Sequence, residues 1–457
     1  MSALVRVAVV GSGPAGFYAA GQLLAHADAP IAVDVYDRLA TPWGLVRAGV
    51  APDHPKIKLV TRVFERTARR AGFRFLGNVE VGRDVTHEEL ASVYHAVLYA
   101  VGAASDRRLG IPGEQLPGSH AATEFVGWYN GHPDHADHDF ALGCERAVVI
   151  GNGNVALDVA RMLALDPREL EGTDIADHAL ERLRASAIRE VVVLGRRGPA
   201  QAAYTEPELS ELAALADTDL VVDPAEARLD PISLAALARD GAEEARELAE
   251  LVARLARRPP AGKRRRILLR FLASPVELLG AERVEGLRIV RNRLVDDGPG
   301  RVAVRATGLT ETIEAGLVLR SIGYRGLPLP GLPYDEQRGT IVNDCGRVTE
   351  PGARPLPGVY TAGWAKRGPS GIVGTNKQCA SETVELLLAD LAAGRLRTPV
   401  EPEALLTRLA ERGVEVVDLA GWEAIDAHER GLGEPHRRPR VKLVRRDELL
   451  ARARRSL

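Results

Sequence analysis

The chain is poor in cysteine. Cys144, Cys345 and Cys379 are the only three in 457 residues, and no two are close enough for a Cys-x-x-Cys pair. That excludes a disulfide framework, a thiolate-held iron–sulfur cluster and internal thiol–disulfide exchange. It fits a reducing, cytoplasmic setting. Long apolar runs are missing too: no window has the length of a membrane span, and the N-terminus carries no secretory signature, so no membrane is expected. Neither sign of charge dominates. Lys+Arg is 60 against Asp+Glu 62, a net charge of -2, which argues against a general nucleic-acid binder. No metal is expected. What is abundant is glycine, 45 residues, many of them in motifs rather than in low-complexity runs.

The order of elements is that of doubly wound α/β folds. Val5 to Val10 reads as a buried strand ended by glycine, Phe17 to Ala27 as a helix and Ala32 to Tyr36 as a second strand, together one βαβ unit. Thr41 to Lys58 reads as an ordered loop, and Ala96 to Val101 as another strand. A second unit starts at Ala147: a strand to Ile150, a helix from Val155 to about Leu165, and a return strand Glu190 to Leu194 after an insertion, Asp166 to Ile188. Ala236 to Ala256 has the period of an amphipathic helix. Ile267 to Val276, Val284 to Arg291, Arg301 to Ala306 and Leu317 to Ile322 read as strands. Gly358 to Ala362 is a strand again and Asn376 to Leu391 a helix, with the stretch after Arg395 an appended tail. The expected fold is therefore two Rossmann-like dinucleotide-binding domains, the second inserted into the first: 1–105 and 331–457 around 106–330.

Each unit carries a phosphate cradle. Gly11-Ser12-Gly13-Pro14-Ala15-Gly16 fits GxGxxG between strand and helix, where glycines let the backbone approach a pyrophosphate at a helix N-terminus. Asp37, 21 residues past Gly16, ends the second strand and suits an adenosine ribose hydroxyl. Gly151-Asn152-Gly153-Asn154-Val155-Ala156 fits GxGxxA in the same context. Its return strand ends on Gly195-Arg196-Arg197, with no acid. Two guanidiniums suit a 2′-phosphate that a carboxylate would repel. Two cradles with opposite endings imply two dinucleotides: FAD at the acidic end, NADPH at the basic end, with hydride passing between them.

With these residues in view, the chain resembles the adrenodoxin reductase-like family of ferredoxin–NADP reductases, in its bacterial branch. The blocks that carry the resemblance are VAVVGSGPAGFYAA (7–20), TPWGLVRAGVAPDHPKIK (41–58), IPGEQLPGS (111–119), VVIGNGNVALDVAR (148–161), VVVLGRRGPAQAAYT (191–205) and GWAKRGPSGIVGTNK (363–377). The resemblance implies FAD contacts at Ala15, Asp37, Leu45, Val81, Trp364, Gly371, Ile372 and Val373. Asp37 departs mildly, since the family often has Glu there. It implies NADP contacts at Arg107, Asn152, Gly153, Asn154, Val155, Arg196, Arg197, Glu208 and Gly371, with Gly371 touching both cofactors. Trp364 is otherwise a packed aromatic in a core loop. The resemblance also sets His54 and Glu208 beside the nicotinamide–flavin contact as candidate catalytic residues. Hydride transfer itself needs no protein acid or base, so a histidine satisfied by hydrogen bonds in a tight loop is the other reading of His54. Asp158, one turn into the second helix, reads as a local hydrogen bond or a surface charge.

The chain holds no internal acceptor, so electrons leave to an external one, and the resemblance implies a ferredoxin-type iron–sulfur protein. Ferredoxins are usually acidic, which calls for a basic rim: Lys56, Lys58, Arg62, Arg66 and Arg69, the stretch Arg257 to Arg266, or Arg437 to Arg455. After Glu208 the sequence Leu209-Ser210-Glu211-Leu212 lacks the basic residues that mitochondrial members use for docking. The expected state is a monomer. The competing readings are an NADPH-dependent flavin monooxygenase or oxidase, for which no substrate-pocket signature is present, and an electron-supplying subunit of a larger complex, for which residues 1 to 10 leave no room for a cysteine-rich region.

Overall fold

The computed structural model describes residues 4–298, 301–350, 352, 354–371, 373–399 and 404–454. Val5–Val10 is a β-branched run with four consecutive buried residues, and it lies between Ile31–Tyr36 and Ala96–Tyr99 in one parallel sheet. Phe73–Leu76 extends that sheet beyond Ile31–Tyr36. On the other side Pro355–Thr361 pairs in parallel with Ala96–Tyr99, followed by the antiparallel strands Arg347–Thr349 and Asn343–Asp344. This seven-stranded sheet thus takes strands from both ends of the chain. A second, six-stranded parallel sheet has the order Ser119–Ala121, Leu317–Arg320, Arg146–Ile150, Glu190–Leu194, Arg265–Arg270, Thr218–Val222. Both sheets bury apolar strands on both faces; in the second, helices cover one face and the segments Ala273–Leu279, Gly286–Asp296 and Val302–Glu314 cover the other. The chain passes between the sheets through Ser105–Asp106 and returns through Tyr324–Arg325, and these two segments pair antiparallel.

In each sheet the order reverses beside the strand that feeds a glycine turn. Such switch points open a crevice at the carboxyl ends of the strands, where α/β proteins bind ligands. The first crevice lies between Val5–Val10 and Ala96–Tyr99, the second between Arg146–Ile150 and Leu317–Arg320. The helices that follow, Pro14–Leu23 and Asn154–Ala164, start three residues into each turn, with Gly13 and Gly153 as their N-caps.

Several elements differ from the reading of the sequence. Ala236 to Ala256 is two helices, Pro231–Leu237 and Glu243–Ala256, broken at Gly241, whose φ of 79° no helix tolerates. Ile267 to Val276 divides at Leu272 (φ 53°). Before it, Arg265–Arg270 belongs to the parallel sheet; after it, Ala273–Leu279 joins an antiparallel sheet with Gly286–Asp296 and Val302–Glu314. The Thr41 to Lys58 loop contains two helical turns, Leu45–Ala48 and Pro55–Lys58. The helix expected from Asn376 starts at Val373.

The larger correction is the tail. Residues beyond Arg395 are integral to the first fold. Leu405 and Leu409 lie in one of its cores, and Val417, Trp422, Ile425, Leu449 and Ala453 in the other. Gly77 and Val417 exchange backbone hydrogen bonds at 2.8 and 2.9 Å, covering the edge beside Phe73–Leu76. Glu429, fully buried, accepts two hydrogen bonds from Arg47. Burial alone would raise the Glu429 carboxyl, but Arg47 and Arg440 hold it below the usual carboxylate value. Lys442 reaches Asp174 at 3.1 Å, and Lys58 bonds the other oxygen of the same carboxylate at 2.6 Å. The C-terminal segment therefore ties the Thr41 to Lys58 loop to the insertion of the second sheet.

Candidate functional site: two glycine turns and the cluster between them

The first turn is built by close approach. A Cβ on Gly11 (φ 104°) would sit 2.4 Å from the Ala100 carbonyl oxygen, and one on Gly16 would sit 2.0 Å from the Gly11 carbonyl oxygen. These two glycines are demanded by the backbone itself. Gly13 is different. Its φ of -77° suits any residue, and an added Cβ would meet nothing nearer than the Gly44 Cα at 4.0 Å. The second turn repeats the contrast: Gly151 (φ 124°) faces the Ser321 carbonyl at 2.0 Å, whereas Gly153 (φ -100°) faces open space. A glycine with ordinary dihedrals and no neighbour, at a helix N-cap where Ser, Thr, Asn or Asp would cap better, leaves its Cβ position for something else. Both turns therefore fit a dinucleotide pyrophosphate.

The strand ends differ in charge. Asp37 accepts hydrogen bonds from Ser12 N–H at 2.9 Å and Leu39 N–H at 2.9 Å, besides the Ser12 hydroxyl. Its carboxylate is thus fixed beside the first turn with lone pairs to spare for a ribose hydroxyl. Beyond Gly195, Arg196 is exposed and Arg197 half-buried, and neither makes an ion pair among the described residues. Burial and the neighbouring Arg196 charge lower the Arg197 guanidinium. Asn152 packs over Gly195 and has a buried Nδ2 without a hydrogen-bond partner, while Asn154 Oδ1 accepts from Thr205 N–H at 2.8 Å. Val155 packs on the core of the second sheet. Arg107 lies exposed beside Gly323.

On the flavin side, Leu45 opens the turn after Gly44 and is partly exposed, and Val81 is buried. Ala15 approaches Gly363, where an added Cβ would come within 2.7 Å of the alanine methyl. Trp364 donates Nε1–H to the Ser370 carbonyl at 3.1 Å and lies 5.1 Å, ring to ring, from Tyr324 of the returning linker segment. Gly371 adopts φ 77°, and Val373 opens the following helix. Ile372 lies outside the described residues.

Between the turns sits a cluster that sequence reading found only in part. Arg161, with a side chain 3% exposed, is its centre. It donates to Asp53 at 2.7 and 3.1 Å and to Asp158 at 2.6 Å, and it lies 3.6 Å from Glu208. Burial alone would lower its guanidinium, but the Asp53 and Asp158 carboxylates outweigh that and raise it. His54 Nε2 is 2.9 Å from Glu211, and its Nδ1 is 4.0 Å from Asp158. Glu211, rather than Glu208, is thus the hydrogen-bond partner of His54. Asp158 does make a local bond, one of its two expected readings, yet it is half-buried at the centre of the site rather than a surface charge. Burial pushes its carboxyl up.

Glu208 is raised by burial and by the Asp158 charge, and its Oε2 is buried without a donor. A carboxyl raised on folding binds its proton more tightly folded than unfolded. Its contribution is therefore full below the unfolded value and is lost as pH rises through the folded one. Glu208→Gln is expected to raise Tm of the cofactor-free chain at pH 8 and to leave it unchanged at pH 4, as a melting series would show. Removing Arg161 does the opposite. Arg161→Met strands three carboxylates and should cost about 3–5 kcal/mol in denaturant unfolding.

Asp53, Arg161, Glu211 and Tyr324 were not singled out in the sequence. The i, i+3 spacings Asp158/Arg161 and Glu208/Glu211, which place pairs on one helix face, were the available signal.

The comparisons with known proteins agree with this geometry. Residues 5–213 match the pyridine nucleotide-disulphide oxidoreductase family model. The chain is 52% identical over 454 residues to NADPH-ferredoxin reductase FprA of Mycobacterium tuberculosis (strain ATCC 25618 / H37Rv), covering 97% of this chain and 98% of that one. It is 43% identical over 464 residues to the mitochondrial NADPH:adrenodoxin oxidoreductase of Salvelinus fontinalis, 98% of this chain and 91% of that one. The solved structure of Mycobacterium tuberculosis FprA in complex with NADPH superposes with a TM-score of 0.93 at 50% identity, over 99% of this chain and 100% of that one. With both glycine turns, the acidic and basic strand ends and near-complete coverage in agreement, the chain belongs to the adrenodoxin reductase-like family of ferredoxin–NADP reductases.

Proposed function

We propose that the chain is an FAD-dependent NADPH–ferredoxin reductase. One observation carries this reading: two Cβ-free cradles at two sheet switch points, one ending on Asp37 and the other on Arg196 and Arg197, which make no ion pair among the described residues. FAD, when bound, takes a hydride from NADPH and releases the electrons singly to an iron–sulfur carrier. The residues of the chain bind, orient and exclude water. Gly11, Gly13 and Gly16 would hold the FAD pyrophosphate, with Asp37 on its ribose. Ala15, Leu45, Val81, Trp364, Gly371 and Val373 would line the rest. Asn152, Gly153, Asn154 and Val155 would hold the NADP pyrophosphate, with Arg107, Arg196 and Arg197 as its cationic partners. Glu208 Oε2, an acceptor lacking a donor, suits a carboxamide N–H of the nicotinamide. His54, held by Glu211 and facing Asp158, joins the flavin-side loop to the second sheet at that point and orients the two folds. The direct assay is NADPH-driven cytochrome c reduction that depends on added ferredoxin. Turnover of an organic substrate with oxygen and without ferredoxin would favour a monooxygenase instead.

Burial narrows the docking surface. Lys58 is bound to Asp174, Arg265 is buried on the Leu165 carbonyl, and Arg266 pairs with Glu190. Arg438, Arg440, Arg445, Arg446 and Arg454 are all in ion pairs; Arg455 lies outside the described residues. Arg257, Arg258, Arg264 and Arg437 are exposed without ion pairs among the described residues, as are Lys56, Arg62, Arg66 and Arg69, but the last four are interleaved with exposed Ile57, Leu59 and Val63, with exposed Leu45 on the same loop. This mixed basic and apolar face is the docking surface for an acidic ferredoxin. Raising salt should slow ferredoxin reduction, and Arg62→Glu with Arg66→Glu should abolish the salt dependence while leaving ferricyanide reduction by NADPH intact.

Among the described residues no helix is long and apolar enough to cross a membrane. The three free thiols favour a cytoplasmic setting. Because one chain supplies both turns and the cluster between them, it acts as a monomer, which size-exclusion chromatography checks.

A further inference from the structure

Four of the eleven histidines gather outside the cluster between the two glycine turns. Three fall in His132-Pro133-Asp134-His135-Ala136-Asp137-His138-Asp139, and the fourth is His120. His120 stands on the edge strand Ser119–Ala121 of the second sheet. Glu124 lies in the first turn of the helix Ala122–Tyr129. The chain then reverses through a short 3₁₀ turn, Pro133–His135, which brings His135 and His138 back over the start of that helix. One ligand atom each from His120, Glu124 and His138 lies within 4.8 Å of the others. His120 Nδ1 is 3.7 Å from Glu124 Oε2, and His135 Nδ1 is 3.2 Å from His138 Nε2.

Two features set this group apart from ordinary surface histidines. His120 Nε2 is buried without a hydrogen-bond partner, which a settled core imidazole avoids. The helix also makes room for the group. A Cβ on Gly127 would lie 2.3 Å from the His135 ring, so a glycine stands in mid-helix where it costs about 1 kcal/mol against alanine. Phe140 packs against both His120 (4.7 Å between ring centres) and His138 (5.7 Å), screening one side from water. Glu124 is held in place by Ala121 N–H at 3.0 Å.

We propose that His120, Glu124 and His138 form a divalent-metal site of the zinc class, with His135 positioning the His138 ring. Zinc bonds imidazole nitrogen and carboxylate oxygen at about 2.0–2.2 Å, so tetrahedral ligand atoms stand about 3.4 Å apart. The observed spacings close to that with side-chain movements of about an ångström. With His138 Nε2–H donating to His135 Nδ1, His138 Nδ1 keeps its lone pair, the outer-shell arrangement that metal-bound histidines use. Two imidazoles and a carboxylate leave one position for water. The site also bears on the two folds. Asp134 pairs with Arg38 and Arg446, and Asp137 with Arg445, so the segment the metal would fix already reaches the first fold and the C-terminal segment.

The test uses the flavin-loaded, untagged full chain, stripped with a chelator and dialysed against Zn²⁺. One equivalent of zinc is expected by elemental analysis, with a rise in Tm that follows zinc concentration. His120→Gln and His138→Gln should each lose the bound zinc while keeping NADPH-reducible flavin. His135→Gln should retain the site but weaken it about 10–100-fold. On the wild type, zinc should shield His120 and His138, and not His26 or His436, from diethyl pyrocarbonate, a readout that does not depend on any variant folding. No zinc uptake by the wild type, equal uptake in His120→Gln and His138→Gln, or equal modification with and without zinc would each overturn the site, and unchanged affinity in His135→Gln would overturn its positioning role.

Discussion

Replacing Arg196 and Arg197 together with alanine is expected to lower kcat/KM for NADPH at least about a hundredfold and to leave that for NADH within a few-fold. The two guanidiniums follow the return strand of the second cradle with no acid to neutralise them. A 2′-phosphate gives each of them a charge-assisted hydrogen bond, and such bonds contribute about 1.5–3 kcal/mol apiece. Because the contact is equal in the ground and transition states, the loss should fall on KM, with kcat little changed. Neither side chain makes an ion pair among the described residues, so Tm should hold. The variant should therefore treat the two nicotinamides nearly alike. A double variant that kept its NADPH preference would place the 2′-phosphate elsewhere, with Arg107 the next cation to replace.

The second large effect concerns the glycines that the backbone does not need. Gly153→Val introduces no strain at φ -100° and meets no neighbour, so the chain should fold and keep its flavin. Its side chain would occupy the pyrophosphate position, and reduction by NADPH should fall by about two orders of magnitude or more, since the phosphates lose their approach to the helix N-terminus. Gly13→Val is the counterpart in the first turn and should yield a folded but colourless chain. Gly11→Ala and Gly151→Ala differ in kind. Each drives a Cβ to within 2.4 Å of a carbonyl oxygen at positive φ, and each should reduce soluble yield before any question of cofactor arises. Circular dichroism with flavin absorbance separates the two classes.

What was legible in the sequence was what is local along it. A strand, a glycine turn and a helix fit within twenty residues, so both glycine turns, and the places of Asp37 and of Arg196–Arg197 just past their strands, were readable from spacing. The inserted arrangement was readable from the order of the units. The cluster between the cradles was not, because its bonds span 108 residues from Asp53 to Arg161 and 157 from His54 to Glu211. No period or motif reports a contact between two folds. Asp158 shows the limit well: a local hydrogen bond was one of two readings for it, while its partner Arg161 was not singled out and His54 faces it from a loop a hundred residues away. The segment after Arg395 was misread because its helices are short and charged, yet Leu405/Leu409 and Leu449/Ala453 carry an i, i+4 apolar spacing that marks a buried face. The breaks at Gly241 and Leu272 rest on single residues at positive φ. Glycine in a helical pattern is a readable stop, whereas leucine in that conformation is imposed by tertiary packing.

The most direct measurement is anaerobic titration of the purified chain with NADPH and then, separately, with NADH. Two cradles that set a nicotinamide against a flavin require protein that emerges yellow with one FAD and is bleached by about one equivalent of NADPH, but only by a large excess of NADH. Protein that takes up no flavin, or holds a flavin that NADPH leaves oxidised, would contradict the account.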